Sequence, residues 1–220
     1  MRSFNFAYDE YYHLYNRGVE KRKIFLTAYD YARFTTLLYI SNGTRAVNLE
    51  EEGKLLSGLL SIDRGEPLVA IGAYCLMPNH FHVLVREKSK NGVSKFMQKV
   101  TTGYTMYFNK MNDRTGSLFQ GTFKAQHASD DIYLKYLYAY IHLNPAKLVN
   151  ARWREEGISA KDRRYVETYP HSSYMDYLKK KRTEEVLLSR QEFPDYFDES
   201  KAFKDEMHEW LDFASVDGLK

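Results

Sequence analysis

The chain has 220 residues, 44% of them hydrophobic and 15% aromatic, and a formal net charge of +3. That much apolar material excludes a disordered chain, and the length suits one domain with an elaboration or two small domains. The lone Cys75 excludes an internal disulfide, and no apolar run approaches the ~18 residues of a membrane span, so a cytoplasmic protein with no membrane partner is expected.

The first residues, "MRSFNFAYDEYY", lack the apolar core of a signal peptide. "EYYHLYNR" (10–17) alternates apolar and polar residues with aromatic enrichment, which predicts a half-buried strand. Gly18 and a basic loop follow, then a helix with Thr27 as its N-cap, ending near Asn42-Gly43. Residues 43–67 are polar and glycine-bearing apart from "KLLSGLLSI", and read as an insertion or long loop. Two apolar runs, 68–77 and 80–87, separated by Pro78-Asn79, predict an antiparallel hairpin.

Val93, Phe96, Met97, Val100, Tyr104, Tyr107, Phe108 and Met111 recur at steps of three and four, which predicts an amphipathic helix over 93–111. A short strand region is expected at 116–128 and a helix at 129–144, with Ser129 as N-cap and Pro145 after its end. Ser172-Ser173 is expected to cap a further helix, and 179–215 reads as helix-like and amphipathic. Gly72 and Gly121 are candidate close-approach points or bends. The order strand, helix, strand, strand, helix, strand, helix predicts an α+β fold, an antiparallel sheet with flanking helices.

The stretch "MPNHFHVLV" (77–85) raises the chemistry. Side chains alternate across a strand, so His80 and His82 share one face while Phe81 and Val83 take the other. Two imidazoles at i and i+2 can occupy adjacent positions on one divalent ion, although His-x-His by itself is a weak signal. A third ligand is needed. Tyr133, Tyr136, Tyr140 and Asn144 form one stripe on the helix over 129–144, and Asn144 offers a carbonyl oxygen suited to Mg²⁺ or Mn²⁺. Among 19 tyrosines a tyrosine stripe is ordinarily core, and spacing does not separate Tyr136 from Tyr140. His13, His127 and His142 read as structural.

These segments resemble a known family. "YCLMPNHFHVLV" is similar to the HUH motif of the single-tyrosine transposases, and "YIHLNPAKLV" (140–149) to their second signature, with "YHLYNRGVEKRKIF" and "LFQGTFKA" matching in order. The asparagine at 144, where many insertion-sequence members have glutamine, points to the REP-associated tyrosine transposases. The resemblance implies an RRM/ferredoxin-like HUH core over residues 1–150 and a helical, partly acidic extension over 151–220. It makes Tyr140 the nucleophile and His80, His82 and Asn144 the ligands of a divalent metal. It also implies cleavage and rejoining of hairpin-bearing or palindromic single-stranded DNA through a 5′-phosphotyrosine intermediate, by a monomer or homodimer. The insertion at 43–67 and the tail after 150 depart from the shortest members.

The charge distribution has two readings, a polyanionic partner or an ordinary solvated face. Residues 1–150 carry 19 Lys+Arg against 13 Asp+Glu, whereas 151–220 carry 13 against 16. Arg17, Lys21 and Arg22 flank the first strand, and Lys95, Lys99 and Lys124 lie in the basic stretch that follows the histidines, all candidate DNA contacts. The last thirty residues hold 3 basic and 9 acidic side chains. They either compete with DNA or form an amphipathic helix with Phe203, Met207, Trp210, Leu211 and Phe213 inward. The alternative to an enzyme is a non-catalytic nucleic-acid-binding module on the same sheet. A water-using metal hydrolase lacks an evident base.

Overall fold

The computed structural model describes residues 5–47, 56–197 and 199–213. Strand β1 (Tyr11–Arg17) leads to helix α1 (Ala28–Ile40), a helical turn α2 (Leu56–Leu59), and the hairpin β2 (Val69–Met77) and β3 (His80–Glu87). Helix α3 (Gly92–Met111), strand β4 (Lys124–His127) and helix α4 (Asp131–His142) complete the core. Short helices α5 (Ala146–Val149), α6 (Trp153–Glu156), α7 (Ala160–Glu167) and α8 (Tyr174–Tyr177) precede α9 (Ser200–Phe213). The sheet order is β2-β3-β1-β4, with every neighbouring pair antiparallel. This is the predicted α+β architecture, two split β-α-β units with α1 and α3 on one face.

Alternation along β3 builds two different layers. Phe81, Val83 and Val85 point into a core shared with Phe34 and Leu38 of α1 and Phe96, Val100 and Tyr104 of α3. Leu84 points the other way, into a second core with Leu134, Leu137, Tyr138 and Ile141 of α4. The extension completes that second core: Trp153, Val166, Tyr174, Phe203, Met207 and Leu211 are all buried in it. Segment 171–173 also covers the outer edge of β2, through Leu76 N–H to the His171 carbonyl (2.8 Å) and Ser173 N–H to the Tyr74 carbonyl (3.0 Å). An open edge is thereby removed.

Thr27 caps α1 as expected, in a reciprocal capping box with Asp30. Four other local expectations are corrected. Helix α4 is capped by Asp130, whose carboxylate accepts from Tyr133 N–H at 2.8 Å, while the Ser129 hydroxyl turns to Asp130 itself. The strand over 116–128 shrinks to 124–127, because Gly116 and Gly121 adopt left-handed φ of 80° and 71° and turn the chain; Phe119 keeps one bridge to Gly18. Of the Ser172-Ser173 pair, Ser173 makes no side-chain cap on α8, because its hydroxyl is committed to the Tyr74 backbone and to His142, while the Ser172 hydroxyl accepts from Tyr174 N–H at 3.2 Å. Among the described residues of 179–213, helix is confined to α9, and the segment before it holds two 3₁₀ turns, Thr183–Leu187 and Arg190–Glu192.

Met111, placed on the apolar stripe of α3, is exposed at its frayed end. Gly72 is a true close approach, since a Cβ there would lie 2.7 Å from the Phe193 ring, at the bulge between Ile71 and Ala73. In α9, Phe203, Met207 and Leu211 face inward and Trp210 packs on Tyr136 at 5.2 Å, while the Phe213 side chain lies outside the described residues. Its acids are partly paired: Glu206 with Lys135 at 2.9 Å and Asp212 with Arg163 at 2.6 Å.

Candidate active site on the α4 face of the sheet

The β2–β3 turn is two residues, Pro78 and Asn79, with Met77 paired to His80. Two-residue hairpins favour turns with positive φ, which proline cannot adopt, and neither residue has it. The turn is instead clasped from outside by the loop after β1. The Pro78 carbonyl accepts from Ile24 and Phe25 N–H at 2.8 and 3.1 Å, and the Asn79 carbonyl from Gly18 N–H at 2.9 Å. Left-handed φ at Glu20 and Lys21 (55° and 60°) folds that loop back, and a Cβ on Gly18 would lie 2.4 Å from the Arg22 carbonyl oxygen. His80 therefore starts β3 from a fixed turn.

His80 and His82 share the α4 face, their ring centroids 5.0 Å apart. The Nδ1 atom of each is engaged: that of His80 with Asn79 Oδ1 at 2.6 Å, that of His82 with Nε2 of His13 at 2.8 Å. Burial pushes the pKa of His80 and of His13 down to about 4 and that of His82 well below the ordinary imidazole range, so all three rings are neutral near pH 7. Neutral imidazole is the form that binds a metal.

Helix α4 brings in the rest. Its last turn sets Tyr140 edge-on to His82, 5.5 Å between centroids and at 90°. Asn144, 2% exposed, follows at the helix end, where its Nδ2 donates to the Tyr140 carbonyl at 2.7 Å. That bond orients the amide and leaves Oδ1 buried without a partner; His82 Nε2 is likewise buried and unpartnered. Buried polar atoms are ordinarily satisfied, so a lone pair on nitrogen and one on oxygen, both bordering the same cavity, fit a divalent cation that accepts nitrogen as well as oxygen ligands, such as Mn²⁺. Among the described residues no three His, Cys, Asp or Glu side chains form a metal-holding group; the third donor here is an amide.

The cavity encloses about 400 Å³ and is lined by Tyr15, Asn16, Arg17, Asn79, His80, His82, Gln120, Lys124, Tyr140, Asn144 and Lys147. Of the candidate DNA contacts, Arg17 and Lys124 reach this wall, and Lys21 and Arg22 sit in the clasping loop beside it, with Asn79 Nδ2 on the Lys21 carbonyl at 3.2 Å. Lys95 and Lys99 do not join them. They lie on α3, across the sheet, and Lys99 donates to the Gly43 carbonyl at 2.7 Å. Reading the sequence missed Lys147, whose Nζ lies 5.7 Å from the Tyr140 ring centre, and the supporting roles of His13 and Asn79. For His13, strand parity gives only a shared face with Tyr15; the pairing of Tyr15 with His82 that brings His13 to the site is seen in the structure alone.

The structure separates the two tyrosines that spacing could not. Tyr140 enters the cavity, whereas Tyr136 leans on Trp210 of α9. Burial raises the Tyr140 pKa, with Tyr136 adding to the effect and Arg154 opposing it. His142 is fully buried against Ser173, and His127 pairs with Glu10 at 2.7 Å, both away from the cavity.

Residues 64–144 match the family model of the IS200-like transposases. A solved structure of a REP-associated tyrosine transposase bound to a REP hairpin is also similar, with a TM-score of 0.50 and 13% identity, over 84% of this chain and 88% of that one. At that identity the likeness speaks for the fold. No curated protein sequence matches. The family model thus covers the segment from β2 to α4, and the solved structure shares the fold over most of the chain. Among the described residues no helix is long and apolar enough to cross a membrane.

Proposed function

We propose that this transposase-family chain cleaves and rejoins hairpin-bearing single-stranded DNA, with Tyr140 as nucleophile. The observation that carries the reading is the juxtaposition of Tyr140 with two unpartnered buried donors, His82 Nε2 and Asn144 Oδ1, on one cavity wall. His80, His82 and Asn144 would hold a divalent cation, which when bound would polarise the scissile phosphate and stabilise its developing charge. The Tyr140 oxygen attacks phosphorus, the bond to the 3′-oxygen breaks, and the products are a free 3′-hydroxyl and a 5′-phosphotyrosine. The bond energy is kept in that ester, so a second 3′-hydroxyl can reverse the step without ATP. Arg17, Lys124 and Lys147 supply positive charge for the flanking phosphates.

A binding module on the same sheet would have no need of a tyrosine aimed at two empty lone pairs. The test is a hairpin oligonucleotide labelled at its 3′ end, incubated with the full chain and Mg²⁺ or Mn²⁺ and run on a denaturing gel. Labelled protein is expected, lost with chelator and in Tyr140→Phe. DNA binding without any labelled protein would leave the non-catalytic module as the better reading.

A further inference from the structure

We propose that His13 is a positioning residue that sets the tautomer and orientation of His82, so that the Nε2 lone pair of His82 faces the cavity. The inference rests on the reading of His80, His82 and Asn144 as cation ligands. His13 belongs to β1, opposite Leu84 in register, while Tyr15 is opposite His82, so the two histidines form a diagonal cross-strand pair on the α4 face. Their rings lie 21° from coplanar with centroids 5.0 Å apart, as an in-plane N–H···N bond between Nε2 of His13 and Nδ1 of His82 requires. Both are at least 95% buried, so water does not replace that bond.

Two neutral imidazoles joined this way share one proton, and its place decides what His82 can do. If His13 donates from Nε2, the proton of His82 must sit on its own Nε2, where it has no acceptor and blocks a cation. If His82 donates from Nδ1, the same Nε2 carries a free lone pair turned to the cavity. Only the second arrangement uses the unpartnered atom. Ligating imidazoles characteristically have the other ring nitrogen fixed by a partner. His80 has the Asn79 side-chain oxygen Oδ1 for this, and His82 has His13. The Tyr140 ring, its centroid 5.6 Å from that of His13 and 5.5 Å from that of His82 and steeply inclined to both, packs against the pair.

The experiment uses full-length chain labelled with ¹⁵N-histidine, with long-range ¹H–¹⁵N spectra for the tautomer and Mn²⁺ titration followed by electron paramagnetic resonance. In wild type, His82 is expected to carry its proton on Nδ1, and Mn²⁺ to bind. His13→Phe should weaken Mn²⁺ by about 10–100-fold and lose the single His82 tautomer. His13→Gln, whose carbonyl oxygen can accept the same proton, should restore most of both. A purely structural His13 would shift the melting temperature and leave tautomer and affinity alone. Wild type that binds Mn²⁺ with His82 protonated at Nε2, or His13→Phe with unchanged affinity and tautomer, overturns the inference. If His13→Phe does not fold, the wild-type spectrum and His13→Gln still decide. A wild type that binds no Mn²⁺ overturns the cation reading itself and this inference with it, a result distinguishable without any variant.

Discussion

The two faces of the sheet differ although they are made by alternate residues of the same strands. On the α1–α3 face, Phe81, Val83, Val85, Tyr12 and Leu14 form a core that runs to the strand ends. On the α4 face the apolar layer runs on along β2 to Met77, but β3 turns from Leu84 to His82 and His80, and β1 sets His13 opposite Leu84. The first face supplies rigidity and the second spends it. A site held by strands buried on their other side keeps its donors in place without a ligand, which is the preorganisation that metal and phosphate chemistry need.

The largest break in this comparison is expected on the α4 face. Tyr140→Phe should lower cleavage by about 10³-fold or more, with binding and fold intact, because only a hydroxyl is removed. Tyr136→Phe should cost little, since that ring packs on Trp210. The reverse ranking in a cleavage assay would move the nucleophile one turn back along α4. Phe81→Ala, between the two histidines but on the opposite face, should cost about 3–5 kcal/mol in a denaturant titration, as a fully buried aromatic does. Loss of stability below about 1 kcal/mol would mean the far face is not the rigid layer described.

A smaller effect concerns a histidine outside the proposed ligand set. His142 is fully buried in the α4-side core, and burial holds its pKa at about 3, below the 6.5 of an exposed imidazole. The unfolded chain therefore binds the proton first, and the stability contribution, full above pH 6.5, is lost as pH falls toward 3. Between pH 6.5 and 5.5 the loss from this one group is about 1 kcal/mol. His142→Gln should flatten the pH dependence of urea unfolding by that amount, and an unchanged slope would contradict the assignment. Smallest of all, Lys124→Ala should reduce the salt dependence of single-strand DNA binding by about 0.7 in log–log slope, as one lost phosphate contact does. Lys99→Ala, on the other face, should leave the slope unchanged.

How far the sequence could be read differs in the same way between the faces. Period-2 patterning located β1, continuous apolar runs the β2–β3 hairpin, whose β2 is buried on both sides, and period-3.6 patterning the helices, because burial is written in residue type. The pairing of His80 with His82 followed from strand parity alone. Tyr140 over Tyr136 did not, because both lie on one helical stripe and only the docking of α9 on Tyr136 tells them apart. Nor could parity show that β1 lies beside β3, which brings His13 to His82. The 3₁₀ turns after 179 were hidden for another reason: Arg182 ties that segment to Asp176 by two bonds of 2.9 and 3.0 Å, a tertiary choice over helical periodicity.

That chemistry resides on the α4 face, at Tyr140, is tested most directly by mapping the protein–DNA linkage. The full chain is reacted with a single-stranded hairpin oligonucleotide and Mn²⁺, digested with protease and nuclease, and the modified peptide sequenced by mass spectrometry. A residual 5′-nucleotide on Tyr140, within the peptide that also contains Asn144, is the expected result. The same nucleotide on Tyr136, on Tyr133 or on a tyrosine of the opposite face, with Tyr140 unmodified, would contradict it.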